Sequence, residues 1–212
     1  MKVESAPVGS RVVDSLPFSQ AGSATQAGAL KASGVDGFVG YLGAMNAARL
    51  AHVLGAGLGF MPVTFAGEYK DGAKDEVAQL RALAIPAGCT VWLDLEGLDA
   101  WKTNPVDLMR LINDWASDIK VAGWVPGLYV GAPQPLSGVE IYALGVYRYW
   151  LGIGRCVDRT GKDAYPARGW CMRQDWHGQK NGMVWRDTQV FVDTNSVQCD
   201  HRGNLPAWVV AS

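Results

Sequence analysis

Two carboxylates, Asp94 and Glu96, follow an apolar segment of the sequence that begins at Trp92. Side chains alternate between the two faces of a β-strand, so a strand over residues 92–97 would place both acids on one face. Neighbouring carboxylates raise each other's pKa and resist removal from water. A pair at the end of a buried strand therefore favours acid chemistry or substrate binding. The alternative is a structural pair, capped by backbone amides or by a neighbouring arginine.

Chain length and composition are typical of one domain of catalytic size. The 212 residues are 49% hydrophobic and 18% charged, which is enough apolar surface for a single core, and α/β barrels of this length are commonly one domain. We expect residues 1–10 to be an N-terminal extension and residues 11–212 to form one barrel domain. The formal net charge of −1 provides no basic field, so neither nucleic acid nor a membrane surface is expected as a partner.

The sequence lacks the patterns that mark several other classes of protein. No apolar stretch is long enough to cross a membrane, and residues 1–7 do not lead into the apolar run of a secretory signal. The cellular location is therefore open, and export would need another route or a leader outside this sequence. There is no HExxH pattern, and residues 199–201 are too local for a metal cage. We expect no metal and no cofactor.

The four cysteines, Cys89, Cys156, Cys171 and Cys199, include no closely spaced CxxC pair. Buried free thiols are the preferred interpretation, because cysteine packs readily as a small apolar side chain. A disulfide between Cys156 and Cys171 is the alternative. It would close a long polar loop in an oxidising compartment.

Apolar periodicity and turn residues divide the chain into alternating strands and helices. Strands are predicted at residues 11–14, 37–41, 58–65, 89–96, 127–131, 149–153, 170–174 and 189–193. Helices are predicted at residues 21–33, 46–55, 74–84 and 104–122, with a short helical piece at 138–146. Eight strands with helices between the first five predict an α/β fold, a (β/α)8-type TIM barrel whose helices are reduced or missing in the C-terminal half.

In such a barrel the active site lies where the strands end. The acids follow that rule: Asp14 ends the first predicted strand, Asp94 and Glu96 the fourth, and Asp193 the eighth, which would neighbour the first. Aromatic and amide side chains at or just beyond strand ends are candidate substrate contacts, although packing and turn roles remain open for them. These candidates are Tyr41, Tyr129, Trp150, Gln174 and Trp176. Together the acids and these side chains predict a sugar-binding cleft.

The order of these motifs resembles a known family. Asp14, the Asp94-Leu95-Glu96 segment, the Gln-Asp-Trp segment at 174–176 and the Val-Asp-Thr-Asn segment at 192–195 are similar to the family twenty-five glycoside hydrolases, the lysozyme-type muramidases of bacteria and phages. The chain resembles still more closely the related glycoside-hydrolase-like domains of unknown function, over about residues 10 to 196. One departure is the first motif, since residues 13–17 do not follow the Gly-hydrophobic-Asp-hydrophobic-Ser start of the muramidases.

The resemblance implies hydrolysis of β-1,4 glycosidic bonds in bacterial cell-wall peptidoglycan. By that resemblance Glu96 would protonate the glycosidic oxygen, with its pKa raised by Asp94. Asp94 would orient the substrate N-acetyl group or stabilise positive charge in the transition state. Asp14 and Asp193 would complete the acidic site, although each is also a good cap or turn residue. The partner would be peptidoglycan or a related glycan, and a monomer is expected. The alternative function is binding of cell-wall glycan, or another interaction, without cleavage.

Overall fold

The computed structural model describes residues 1–66, 73–96, 98–99, 102–131, 134–152, 156–164, 167–175, 183–184 and 190–212. Within these residues lie eleven strands and six α-helices. The strands are β1 (Lys2–Ser5), β2 (Arg11–Asp14), β3 (Gly37–Tyr41), β4 (Gly59–Phe65), β5 (Thr90–Asp94), β6 (Val125–Val130), β7 (Arg148–Leu151), β8 (Met172–Gln174), β9 (Met183–Val184), β10 (Phe191–Val197) and β11 (Ala207–Val210). The helices are α1 (Leu16–Ala21), α2 (Ala24–Ala32), α3 (Ala47–Gly55), α4 (Lys74–Ala82), α5 (Pro105–Val121) and α6 (Gly138–Tyr142).

Eight of these strands close into a barrel. Their order is β4-β3-β2-β10-β8-β7-β6-β5, and a pairing between β4 and β5 completes the circle. Strands β2 to β8 run parallel to one another. Strand β10 is antiparallel to both β2 and β8, with Asp193 opposite Asp14 and Asn195 opposite Gln174. The barrel is therefore of mixed direction.

This architecture corrects the prediction of a (β/α)8-type TIM barrel, which is wrong. The fold is a closed eight-strand mixed β-barrel, and all six described helices precede β7. A strand that returns antiparallel needs no crossover connection, whereas a parallel one needs a long connection that is usually helical. Alternation of apolar and polar residues predicts that a strand exists but carries no information on its direction. In the described part of the chain, no helix has the length and apolar character that crossing a bilayer requires.

The helix predicted at residues 21–33 is α2, which begins at Ala24. Helix α1, Leu16–Ala21, is an additional short helix that was not predicted. Ser15 caps α1 by accepting the N–H of Phe18, and Ser23 caps α2 in a reciprocal capping box with Gln26. Since each serine satisfies backbone donors that a helix start leaves free, the local sequence favours two starts.

Two strands that the sequence did not predict, β1 and β11, close one end of the barrel. They pair with each other, and Val209 of β11 pairs with Phe60 of β4. The indole of Trp208 packs against Gly37 and Gly59, where an added Cβ would lie 2.6 Å and 2.4 Å from its ring atoms. We call this end, at which strands β2 to β8 begin, the floor.

The substitution Gly59→Ala tests how tightly Trp208 is packed. The new methyl group would overlap the indole, so we expect the free energy of unfolding to fall by about 1–3 kcal/mol. Urea unfolding measures the change. Gly28→Ala is the matched control, because Gly28 lies in α2 and a Cβ added there would enter open space, and we expect it to stabilise by about 0.5–1 kcal/mol. A Gly59→Ala protein as stable as wild type would show that Trp208 moves aside freely.

The barrel wall separates two apolar clusters. Along β5, Trp92 faces the barrel interior and Leu93 faces the layer of helices. Asp94 follows Trp92 on the interior side because strand side chains alternate. The same alternation carries the interior row of β3 from Val39 to Tyr41. The polar side chains at the strand ends therefore lie in the same rows as the apolar side chains of the barrel interior. The packing of that interior holds them in place.

Candidate functional site

The end of the barrel opposite the floor carries most of the predicted site residues, and we call it the mouth. Strands β2, β3 and β5 end there with Asp14, Tyr41 and Asp94. Asp193 reaches the same end by a different route. It lies near the start of β10 and not, as expected, at the end of a parallel strand. Because β10 is antiparallel, its start is at the mouth and Asp193 pairs with Asp14.

The Asp94 and Glu96 pair combines one buried and one exposed acid. Asp94 is 2% exposed, and its Oδ1 accepts the backbone N–H of Glu96 at 2.7 Å. The Tyr41 hydroxyl also hydrogen-bonds to it. Burial, with a smaller contribution from the Glu96 charge, raises the pKa of Asp94 from 3.8 to about 7. Glu96 is exposed, so it is the acid of this pair that a ligand at the mouth can touch.

Tyr129 links Glu96 to Gln174. Its hydroxyl oxygen lies 2.7 Å from Glu96 Oε1 and 2.7 Å from Gln174 Oε1. Burial and the neighbouring Glu96 raise the pKa of Tyr129 above its ordinary value, so it keeps its proton. A hydroxyl donates only one hydrogen bond. The Tyr129 hydroxyl therefore donates one of these two hydrogen bonds and accepts the other.

Two glycines provide the space that this contact occupies. A Cβ at Gly131 would lie 2.9 Å from Glu96 Cγ, and one at Gly152 would lie 2.7 Å from the Tyr129 hydroxyl. Any larger residue would displace the acid or the tyrosine. Each glycine comes directly after its strand, β6 or β7, and two residues after an interior side chain, Tyr129 or Trp150. Neither glycine was predicted as a site residue, although glycine at a strand end is a signal for close approach of another group.

A buried asparagine, Asn195, organises the other side of the mouth. The indole N–H of Trp150 donates to Asn195 Oδ1 at 2.9 Å, and Asn195 Nδ2 donates to Asp14 Oδ2 at 2.8 Å. Since an indole nitrogen only donates, this contact fixes the orientation of the amide. Trp150 is 3% exposed and packs between Trp92 and Tyr129, with ring centres 5.7 Å and 4.4 Å away. The structure thus places this predicted rim residue beneath the mouth.

Asp14 and Asp193 bring further negative charge to the mouth. Burial raises the pKa of Asp14 well above its usual range, and the charge of Asp193 adds to this effect. Asp94 and Glu96 contribute smaller increases. Asp193 is half-buried, and burial raises its pKa as well. Asp14, Asp94 and Asp193 therefore bind their protons more tightly in the folded protein than exposed aspartates do.

The substitution Asn195→Leu tests the buried amide. It keeps the approximate volume but leaves the Trp150 N–H without a partner and removes one hydrogen bond from Asp14. We expect the free energy of unfolding to fall by about 1–3 kcal/mol, the usual loss when a buried polar group is left unpaired. Thermal or urea unfolding measures this loss. Stability equal to that of wild type would mean that water replaces the amide.

A cleft of about 250 Å³ lies beside the acids. The Tyr41 ring forms part of its lining and stacks on Phe65 at 4.6 Å between ring centres. Ser19 of α1 accepts the backbone N–H of Tyr41 at 3.0 Å and so fixes the start of the adjoining turn. Since Tyr41 also contacts Asp94, the cleft opens next to the buried acid. Its lining residues are Leu16, Gln20, Tyr41, Leu42, Gly43, Ala44, Val63, Thr64 and Phe65.

The remaining expectations concern Trp176, the four cysteines and a metal site. Trp176 lies outside the described residues. All four cysteines are described and each is a free thiol. Cys89, Cys156 and Cys171 are buried as expected, whereas Cys199 is exposed, and Cys156 and Cys171 do not form the alternative disulfide. Burial raises the pKa of both Cys156 and Cys171 to about 12, as expected for thiols packed in a core. Within the described ranges, no group of three His, Cys, Asp or Glu side chains is placed to hold a metal ion.

No protein-family model matches this chain, and no curated protein does. Solved structures share its fold, among them the following two. One is an uncharacterized protein of B. stearothermophilus, 15% identical, with a TM-score of 0.62 over 90% of this chain and 96% of that chain. The other is the catalytic domain of endolysin ply40 from bacteriophage P40 of Listeria monocytogenes, 16% identical, with a TM-score of 0.50 over 91% of this chain and 95% of that chain. At these identities the likeness is one of fold, and function depends on the site.

Proposed function

We propose that the protein is a glycoside hydrolase that cleaves β-1,4 bonds of bacterial cell-wall peptidoglycan at the mouth of its barrel. The fold shared with an endolysin catalytic domain supports a cell-wall hydrolase. The observation that carries the proposal is the arrangement of the acids, in which exposed Glu96 stands beside buried Asp94 and faces Asp14 and Asp193. Glycoside hydrolysis uses acids in such combinations, because one must donate a proton and another must oppose positive charge.

Glu96 is the proton donor in this proposal. A general acid must approach the glycosidic oxygen within hydrogen-bonding distance, and Glu96 is the exposed member of the acid pair. The Tyr129 hydroxyl holds its Oε1 from one side. Donation of the proton to the glycosidic oxygen breaks the bond to the sugar carbon, which becomes positively charged as the bond lengthens.

In this proposal Asp94 stabilises the positive charge on the sugar carbon from a buried position next to Glu96. It is fixed by the backbone N–H of Glu96 and by the Tyr41 hydroxyl, so its position changes little when a ligand enters. Its pKa of about 7 lets it ionise when a cationic transition state forms. Because Asp94 is buried, it acts on the transition state through its charge. Attack of a water molecule on the sugar carbon completes the hydrolysis, and the proton released by the water replaces the one that Glu96 donated.

Digestion of purified peptidoglycan, followed by mass analysis of the released fragments, tests the proposal. We expect new reducing ends, and fragments that end in N-acetylmuramic acid would identify the bond as that cut by a muramidase. Saturable binding to peptidoglycan with no new reducing ends would contradict hydrolysis and favour the alternative of a glycan-binding protein on the same barrel.

A further inference from the structure

Four cations from distant parts of the sequence meet near the floor of the barrel. Lys120 lies in the last turn of α5, and Arg148 is the first residue of β7. Arg168 precedes β8 and Arg202 follows β10. Because β10 is antiparallel, its end lies at the floor, where the parallel strands begin. We call these four residues, together with Tyr142 and Tyr147, the basic patch.

Tyr147 is the centre of the basic patch. Lys120 Nζ lies 4.6 Å from the centre of its ring and donates to its hydroxyl at 3.0 Å. The guanidinium carbon of Arg168 lies 5.5 Å from the same ring. Arg148 and Arg168 both donate to the Tyr147 carbonyl at 3.0 Å. The hydrogen bond from Lys120 and its charge lower the pKa of Tyr147, which reflects the local excess of positive charge.

Arg202 and Tyr142 extend the basic patch. Arg202 Nη2 donates to the Tyr142 hydroxyl at 2.9 Å. Both tyrosines are 42% exposed, and Lys120 and Arg202 are exposed as well. The patch therefore presents charged and aromatic groups together to the solvent.

In the described part of the chain, the four cations of the basic patch have no carboxylate partner, and none of them forms an ion pair there. The two carboxylates nearest to them in sequence accept backbone N–H groups instead. Asp200, which is 5% exposed, accepts those of Arg202 and Asn204, and Asp118 accepts that of Ala73. In contrast, Lys102 and Arg110 at the other end of α5 pair with Asp99 and Asp107. Within the described part of the chain, the basic patch thus keeps its positive charge uncompensated.

We propose that the basic patch binds an anionic polymer whose charges are phosphodiesters, such as the polyglycerol phosphate of bacterial walls. Guanidinium groups match phosphate oxygens in two-point hydrogen bonds, and the ammonium group of lysine adds a point charge. The choice of a wall polymer rests on the proposed function. Nucleic acid carries the same phosphodiester group, so the test compares the wall polymer with DNA directly.

The position of the basic patch fits a second contact with the wall. It lies at the floor, and the acids lie at the mouth, so a polymer on the patch leaves the mouth open for a glycan strand. The acids at the mouth would repel the same polymer. Because the mouth is acidic and the floor carries the basic patch, each end of the barrel would bind a different component of the wall.

Direct binding of the full protein to polyglycerol phosphate, measured by fluorescence anisotropy at about 50 mM and about 200 mM salt, tests this inference. We expect binding that weakens with salt. The double variant Lys120→Gln with Arg168→Gln should bind at least about 10-fold more weakly, with a log-log salt slope smaller by about two. The control, Lys102→Gln with Arg110→Gln, makes the same change in net charge at the paired cations and should bind like wild type.

The outcomes separate this inference from the proposed function. Equal weakening by both double variants would overturn it, because net charge alone would then explain the binding. Tighter binding to a DNA oligonucleotide of equal phosphate number would overturn the choice of polymer. The single variant Lys120→Glu, at an exposed position, repeats the test if the double variant unfolds. Hydrolysis of peptidoglycan stripped of polymer should be the same in all these proteins, so loss of hydrolysis and loss of polymer binding are independent results.

Discussion

Glu96→Gln is expected to slow the release of reducing ends from peptidoglycan by about 10³-fold, the typical contribution of a general acid. Glutamine keeps the size of the side chain and an oxygen that can accept the hydrogen bond from the Tyr129 hydroxyl. It cannot donate an acidic proton to the glycosidic oxygen. We therefore expect the rate constant to fall while the affinity for peptidoglycan stays within a few-fold of wild type, a pattern that kinetics on soluble glycan fragments would resolve.

The matched control for this prediction is Glu4→Gln. Glu4 lies on β1 near the floor, where it pairs with Lys2 on the surface. The same chemical change there should leave the rate unaltered. If Glu96→Gln and Glu4→Gln both kept full activity, another group would have to supply the proton. If wild type had no activity and Glu96→Gln bound glycan equally well, the protein would be a binding protein.

Asp94→Asn is expected to stabilise the protein in mildly alkaline solution. The pKa of Asp94 is raised to about 7 in the folded protein, so the folded state holds this proton more tightly than the unfolded state. Its contribution to stability is complete below the ordinary pKa of an aspartate and is lost as the pH rises through about 7. A shift from 3.8 to about 7 corresponds to a loss of at most about 4 kcal/mol.

Asparagine cannot ionise, so this loss does not occur in the variant. Its side-chain oxygen can still accept the backbone N–H of Glu96. We expect the variant to be more stable than wild type by about 2 kcal/mol near pH 8 and nearly equal to it near pH 4, as measured by urea unfolding. Asp107→Asn, at the exposed start of α5, is the control and should change stability little at either pH. A variant less stable than wild type near pH 8 would show that the ionised carboxylate is stabilised where it lies.

Much of the fold could be predicted because its strands are short apolar runs bounded by turn residues. Residues 37–41 were predicted as a strand and form β3. The direction of β10 was not predictable, since the pattern of residues 191–197 is compatible with either direction of pairing. Strands β1 and β11 were missed because they contain few apolar residues or lie near the end of the chain, and their pairing joins residues more than two hundred positions apart.

The acids at the mouth were predictable because charged residues at the ends of apolar strands are conspicuous. The side chains that hold these acids in place were not predictable. Asn195 was noticed only as part of a motif, although it holds Asp14 and Trp150 together inside the barrel. Trp150, in contrast, was predicted as a substrate contact but packs beneath the mouth. An aromatic residue near a strand end looks the same in the sequence whether it faces a ligand or the core.

The reversed direction of β10 has a consequence for how the substrate range of this barrel can change. Because β8 ends at the mouth and β10 begins there, the connection between Gln174 and Phe191 starts and finishes at the mouth. In an all-parallel barrel the corresponding connection would have to return to the floor and be constrained by packing there. Here a change in the length of this connection can be accommodated at the mouth without moving the starts of the parallel strands at the floor. Natural variants and designed libraries can therefore alter the surroundings of the acids while the floor stays the same.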